Sequence, residues 1–321
     1  MTQVANTYDS YDIKGIKEDL SDVIYNITPD DTPFYSACKK TKAKNTLVEW
    51  QTDTLRSSGA NAHVEGDETA FEAATATTRL NNRTQIFKNA VIIADTDEGL
   101  SKAGRAKEMA YQTLKIAREQ KLDIEAALFD NNAYEIGSST AARELAGLGA
   151  WVKTNTSFDA TSGADPVVDG SNPAGSTART DSSATRDFTQ TQFDDVMQEI
   201  WTAGGNPDRV YLSPTNMNIA LGFTGGGNSR RNIDAARETV YNSVDVYVTP
   251  WGTVEFTPSR ECRGKDVYIL QSDMWEVGVL RGTKNTEMAK TGDATKRQVV
   301  TELTLCAKNE AANGLVADTN G

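Results

Sequence analysis

Histidine is nearly absent: His63 is the only one in 321 residues. Hydrolytic triads need a base seated against a nucleophile on a rigid element, and His63 lies in a polar stretch, so that chemistry has no footing here. Cysteine is scarce too. Cys38, Cys262 and Cys306 are odd in number, far apart and without a C-x-x-C spacing, which removes disulfide frameworks and zinc clusters and leaves buried free thiols. No run of 18 apolar residues occurs, and Met1 to Gly15 lacks the basic-then-apolar layout of a signal peptide, so neither membrane insertion nor secretion is indicated. Asn-x-Ser/Thr matches at Asn26, Asn82 and Asn155 are then chance. Hydrophobic residues make up 38% of the chain, enough for a core beneath much polar surface. A net charge of -12 argues against a general nucleic-acid binder, whose affinity comes from cations set against phosphates.

The remaining chemical motifs are weak. Gly222 to Gly227 is glycine-rich and precedes Arg230 and Arg231, but no Gly-Lys-Ser/Thr follows, and a flexible loop explains it better than a phosphate cradle. Glu65, Asp67 and Glu68 beside His63 lack EF-hand spacing and read as solvated acids on a loop tip. Lys39, Lys40, Lys42 and Lys44 form a local basic cluster, read as a solvated linker. No cofactor, metal or catalytic residue is expected.

What the chain does have is organisation. Residues 1–35 are polar, with a short amphipathic helix around Ile16, Leu20, Val23 and Ile24, and Pro29 and Pro33 forbid a continuous helix. An arm of this kind must lie on something to stay ordered. Leu47 to Asp53 alternates as a strand, residues 56–78 are almost without apolar side chains, and a return strand runs from about Arg79 to Ile93. A lone two-stranded hairpin is marginal in water, so Trp50 and Phe71 are expected to meet another molecule. From Asp95 to Asn131 no proline intervenes, and Ala103, Ala106, Ala110, Leu114, Ala117, Ile124 and Leu128 suggest one long amphipathic strut helix. Its charges are reversed with respect to the macrodipole, with Lys102, Arg105 and Lys107 at the start and Asp123, Glu125 and Asp130 at the end.

Residues 154–187 are rich in Ser, Thr, Gly, Ala and Asp and read as a surface excursion. After Thr189 the pattern turns globular. A helix through Phe193, Val196, Met197, Ile200 and Trp201 stops at Gly204-Gly205, a short strand spans Arg209 to Leu212, and Pro214 opens a second helix. Strands are expected at Val244 to Thr249, Thr253 to Thr257, Asp266 to Leu270, Trp275 to Arg281 and Arg297 to Lys308, in an antiparallel or mixed sheet. The class is α+β. An arm, an unsupported hairpin and a strut, without catalytic groups, describe a self-assembling structural protein.

Certain motifs in this order carry a resemblance. They are Tyr11-Asp12-Ile13-Lys14-Gly15-Ile16 with Glu18-Asp19-Leu20-Ser21-Asp22, Asp31-Thr32-Pro33-Phe34, and Glu49-Trp50-Gln51-Thr52-Asp53. Further along come Ala103-Gly104-Arg105 with Glu108-Met109-Ala110-Tyr111-Gln112, Trp201 to Asp208, and Ala289-Lys290-Thr291-Gly292-Asp293. The chain resembles the major capsid proteins of tailed bacteriophages with the Hong Kong 97-like fold, and more narrowly the SU-ten-type major capsid family. It departs from the family pattern around Gly225 to Ile233. The resemblance implies an N-terminal arm at 1–44, an extended E-loop at 45–90, a spine helix of the P-domain at 91–132, an α/β A-domain at 133–281, P-domain strands at 282–308, and a tail at 309–321 packing on the A-domain. It implies self-assembly into hexamers and pentamers of an icosahedral head enclosing double-stranded DNA. Implied partners are a scaffolding protein, since the chain begins directly at the arm, with a portal and decoration proteins. Assembly would take place in the host cytoplasm, and the product would be the virion. Subunit contacts are expected at Trp50, Glu65, Asp67, Glu68, Phe71, Lys102, Arg105, Lys107, Arg230 and Arg231, with the acids of one E-loop pairing the cations of a neighbour's helix. The alternative class is a decoration or adaptor protein. An enzyme with a phosphate pocket at Gly225 to Arg231 ranks last.

Overall fold

A computed structural model describes residues 31–68, 71, 73–102, 107–167, 177–223 and 246–320. The expected arm helix around Ile16 to Ile24 lies outside them. Among the described residues the chain begins with a short helix α1 (Pro33–Ala37), which Pro33 opens from the first helical position, and an edge strand β1 (Lys39–Lys42). The lysine cluster is therefore a strand rather than a linker.

Two larger sheets organise the molecule. The first has four strands, with β1 parallel to β10 (Trp275–Glu287), β10 antiparallel to β11 (Ala294–Ala307), and β11 antiparallel to β4 (Gln85–Ala94). The second has six strands in mixed order, from β5 (Asn155–Ser157) through β12 (Gly314–Val316), β9 (Val267–Leu270), β6 (Arg209–Leu212) and β8 (Gly252–Pro258) to β7 (Val246–Thr249). A separate two-stranded hairpin pairs β2 (Leu47–Thr52) with β3 (Thr78–Arg83).

These pairings move two expected boundaries and seat the C-terminal segment. The return strand of the hairpin is two strands, and β4 belongs to the four-stranded sheet, so an E-loop at 45–90 runs six residues too far. An A-domain ending at 281 cuts β10, which lies wholly in the four-stranded sheet. The C-terminal segment supplies β12, an inner strand of the six-stranded sheet.

At β12, β9 and β6 the six-stranded sheet is buried on both faces, which explains why Val267–Leu270 is apolar without alternation, whereas β7 at its edge exposes Val246 and Val248. Val210, Leu212, Val267, Ile269 and Val316 face helices α4 (Gln190–Thr202) and α5 (Pro214–Ala220). Tyr211, Tyr268, Leu270 and Leu315 face the other way, into a core shared with Phe34, Phe129, Trp151 and Trp275. α4 starts at a capping box, with Thr189 and Gln192 satisfying each other's backbone amides, and ends as expected near Gly204, whose φ of 93° suits glycine.

The expected single strut over Asp95 to Asn131 is instead two helices, α2 (Asp95–Gly99) and α3 (Glu108–Phe129). Leu100, after Gly99, is extended and ends α2. Glu98 then accepts the Met109 N–H at 3.1 Å, so an acid of α2 caps the first turn of α3, where the helix dipole favours negative charge. At 1.5 Å per residue the 22 residues of α3 span roughly 33 Å. Of the expected stripe, Ile124 and Leu128 are buried and Ala117 is half-buried, Ala110 and Leu114 are exposed, and Ala103 and Ala106 lie outside the described residues. Met109, Ile116, Gln120, Ile124 and Leu128 point inward, while Leu114 is 66% exposed. Gln120 belongs there because its amide donates to Phe87 O at 2.9 Å and Val299 O at 3.1 Å and accepts from Thr301 Oγ1 at 3.1 Å, tying α3 to β4 and β11.

Candidate assembly surfaces

The hairpin β2–β3 has a fixed root and a free tip. At the root, Trp50 lies 5.2 Å from Trp151 ring to ring, and Asn82 donates to Ala146 O and Leu305 O at 3.2 and 2.8 Å, so the hairpin is fastened to the main core. Trp50 is thus half-buried against its own chain. Beyond Thr52 the picture changes. Every described residue from Asp53 to Thr77 is exposed, with Leu55 at 99%, Val64 at 80% and Phe71 at 96%. The bonds made there are local: His63 meets Asn61 at 2.9 Å and Asp67 at 3.5 Å, and Gly66 turns the chain at φ 84°. Glu65, Asp67 and Glu68 share this tip.

Near the start of α3, the cations expected as contacts have partners at home. Lys102 Nζ lies 2.7 Å from Asp97 and 3.5 Å from Glu108, and Lys107 lies 3.9 Å from Glu98. Lys107 is the N-cap of α3 and so does stand at the positive end of its dipole, but Glu98 and Glu108 beside it supply the negative charge that this end favours. Arg105, Arg230 and Arg231 lie outside the described residues.

Two buried polar devices hold the frame from which the hairpin projects. Glu125, inside α3, is fully buried and accepts the Phe34 and Tyr35 N–H groups at 2.8 and 2.7 Å, clamping α1 to the helix. Burial, with the charge of Glu261, pushes its carboxyl up to about 7 against the pull of those two amides. The second device is centred on Arg179. Its guanidinium is fully buried and meets Asp266 at 2.6 Å, Asp181 at 2.8 Å and Asp318 at 3.5 Å. Arg263 adds contacts to Asp181 and, at 2.7 Å, to Asp266, while Tyr268 donates to Asp266 at 3.1 Å. Burial pushes the Asp266 carboxyl up, and the two arginines hold it back. The stretch 154–187 is therefore not only a surface excursion, since it supplies β5 and drops Arg179 between the sheet and the C-terminal segment. All three thiols are buried; burial raises Cys38 and Cys306 to about 12 and Cys262 well above its ordinary value.

A projecting hairpin, a helix laid on one sheet and a second sheet with its own helices form the whole arrangement. The family model of the SU10 major capsid protein matches residues 1–320. The chain belongs to that family. A major capsid protein of Escherichia phage Phieco32 is 29% identical over 347 residues, covering 97% of both chains. Among solved structures, a capsid subunit of cyanophage A-1(L) superposes with a TM-score of 0.70 at 12% identity, over 95% of this chain and 98% of that one. The major capsid proteins of phage G, solved together with decoration proteins, give 0.55 at 11% identity over 99% of both chains. The fold is thus the Hong Kong 97 fold of phage capsids, and this is a shell-forming major capsid protein of a phage virion.

Sequence reasoning missed Glu125 and Arg179. Glu125 was legible in principle, because it sits three and four residues before Leu128 and Phe129, on the buried face of α3. Asp266 carries a similar signal: it opens the wholly apolar β9, and a charge entering such a strand requires a partner.

Proposed function

We propose that this capsid protein closes into hexamers and pentamers of an icosahedral head around double-stranded DNA, with the hairpin tip of each subunit strapped onto the next. The observation that supports this is the tip itself. Leu55, Val64 and Phe71 stand largely in solvent on the stretch between β2 and β3, whose described residues carry no strand. Such side chains gain about 25 cal/mol for each Å² of apolar area covered on meeting another surface, against the freedom lost on ordering them. Extended, half the tip reaches roughly 40 Å, far enough to leave its own subunit. Each such contact is weak, and repetition over many interfaces makes the shell durable.

In the same proposal a separate scaffolding protein directs closure in the host cytoplasm and a portal occupies one vertex. Decoration proteins bind the outside, as they accompany the phage G capsid. The net charge of -12 would keep packaged DNA from adhering to the wall if the acids face inward. Replacing residues 54–76 by a short glycine linker tests the strap: the subunit should remain soluble and folded by circular dichroism, while negative-stain microscopy finds no closed shells. Shells of ordinary size from the deleted chain would refute it.

A further inference from the structure

Helix α4 buries one stripe against the six-stranded sheet, through Phe193, Val196, Met197 and Ile200. Away from that stripe it carries Asp194, Asp195 and Glu199, and it holds no lysine or arginine. Asp195 and Glu199 stand four residues apart, the spacing at which like charges repel along a helix, and neither forms an ion pair among the described residues. Glu199 also lies in the last turn, where the helix dipole favours a cation. Burial, with the charge of Asp195, raises the Glu199 carboxyl. Two further features sit at the same end. Trp201 is 55% exposed and stacks on the half-buried Trp251 of the β7–β8 turn, with ring centroids 5.2 Å apart. Asn155, Asp195, Gln198, Glu199, Thr202 and Ala203 line a hollow of about 520 Å³. Gln198 stands three residues before Trp201, the spacing of neighbours on a helix surface, so ring and hollow adjoin. The floor of the hollow is fixed, because the Asn155 amide donates to Ala311 O and Asn313 O at 2.7 and 2.9 Å.

An exposed indole face, a helix C-terminus and carboxylates without counter-ions all favour the same ligand, a positive charge. We propose that the end of α4, around Asp195, Glu199, Trp201 and Trp251, is a docking surface for a basic peptide segment of a protein other than this chain. One cationic side chain of that segment enters the hollow and pairs with Asp195 and Glu199, while a second lies over the Trp201 ring. The same carboxylates disfavour anionic partners, DNA among them. A second copy is a poor occupant. The densest basic run of this chain, Lys39 to Lys44, is fixed in and after β1, with Lys39 3.7 Å from Glu276 and Lys40 4.4 Å from the centre of the Tyr35 ring. The surface uses no residue of the hairpin or of α3, so it stands whether or not the strap does.

The probe is fluorescein-labelled hexa-arginine, titrated by fluorescence anisotropy against unassembled full-length subunits at low salt. Asp195→Asn with Glu199→Gln should weaken binding roughly tenfold, and Trp201→Ala should weaken it several-fold. Glu65→Gln with Asp67→Asn removes the same charge from the hairpin tip and should change binding by less than about twofold. Equal losses in the two carboxylate pairs would mean general attraction to an acidic chain and would overturn the site, as would unchanged binding in Trp201→Ala or a parent that does not bind the probe. Asp195→Asn with Glu199→Gln should also melt at or above the parent temperature, because it removes a repulsion. A clearly lower melting temperature would show that the two groups are partnered at home, against the proposal. In closed shells, photo-reactive benzoyl-phenylalanine at position 202 should give no cross-link between copies of this chain. Cross-links between copies there would make a second copy the occupant and overturn the assignment to another protein.

Discussion

Arg179→Met is the most informative single perturbation of the frame. The guanidinium occupies a site with no solvent, between Asp266 and Asp318, whose side chains are also fully buried, and it touches the partly exposed Asp181. Methionine nearly fills the space, so packing loss is small and the electrostatic effect dominates. Removing one partner of a buried ion pair costs about 3–5 kcal/mol, because the remaining charge stays in a poorly solvating interior. Arg263 stays on Asp266 and Asp181, which favours the lower half of that range. For a chain of this size about 2 °C of melting temperature corresponds to 1 kcal/mol, which predicts a fall of roughly 6–8 °C. The deficit also has a pH sign. Without Arg179 the Asp266 carboxyl, already raised by burial, rises further. A carboxyl raised in the folded state contributes stability at low pH that is lost as pH climbs through its folded value. The variant should therefore lag the parent less at pH 5 than at pH 8. Melting of unassembled subunits, followed by tryptophan fluorescence at both pH values, measures this. A fall of under 2 °C at pH 8, or a larger deficit at pH 5, would refute the reasoning. Adding Asp266→Asn and Asp318→Asn to Arg179→Met should recover part of the loss, since no buried charge is then stranded.

Glu125→Gln should flatten the stability profile between pH 5 and 8. The parent group, raised to about 7 in the fold, contributes stability below its ordinary value near 4.5 that disappears as pH rises through 7, on the order of 3 kcal/mol in all. A Gln variant whose melting temperature retains the parent's slope would count against it. A Cβ on Gly147 would overlap the Asp130 carbonyl oxygen, whereas one on Gly282 meets nothing within 4 Å. Gly147→Ala should then cost about 1–3 kcal/mol by urea unfolding while Gly282→Ala stays near the parent. Trp50→Ala and Phe71→Ala should separate root from tip. The first lowers subunit melting by removing a half-buried ring from Trp151, and the second leaves melting unchanged but lowers shell yield. Equal melting losses in both would show that the tip is packed in the free subunit.

Local patterning was the legible part of this chain. Pro214 opened a helix, Gly204 closed one, alternation located β2 and β11 within a few residues, and β8 lies where it was expected; the helix that Pro33 opens was not foreseen. Which strands share a sheet was not legible, because β1 and β10 pair across more than 230 residues and only long-range packing decides that. The strut was overextended for a related reason. Alanines at helical spacing look like a buried stripe, but a small side chain contributes little burial energy; Ile124 and Leu128 of the expected stripe are buried, and Met109 and Ile116, not Ala110, complete that face. Buried charge was the hardest to see. A Ser/Thr/Gly-rich segment gives no hint that its one mid-segment arginine will be taken out of water by aspartates some 90 and 140 residues away.

The hairpin of this subunit leaves from an anchored base, beside an equally anchored α1, and that lowers the energetic cost of assembly. Phe34 sits among Phe129, Tyr211 and Trp275 at ring distances of 5.3, 5.4 and 6.2 Å, with its amide held by Glu125, so α1 is fixed on the frame. Trp50 on Trp151 and Asn82 on two backbone carbonyls do the same for the hairpin. Association costs the freedom of every side chain and segment ordered at the interface. A hairpin free along its whole length would bear that cost in full, at about 1–2 kcal/mol per backbone residue fixed. With the six paired positions of β2 and β3 already in register, only the tip remains to be ordered when it meets a neighbour. The tip can therefore afford few apolar groups and weak ion pairs and still close a shell, whereas weakening its root would raise the entropy cost at every interface at once.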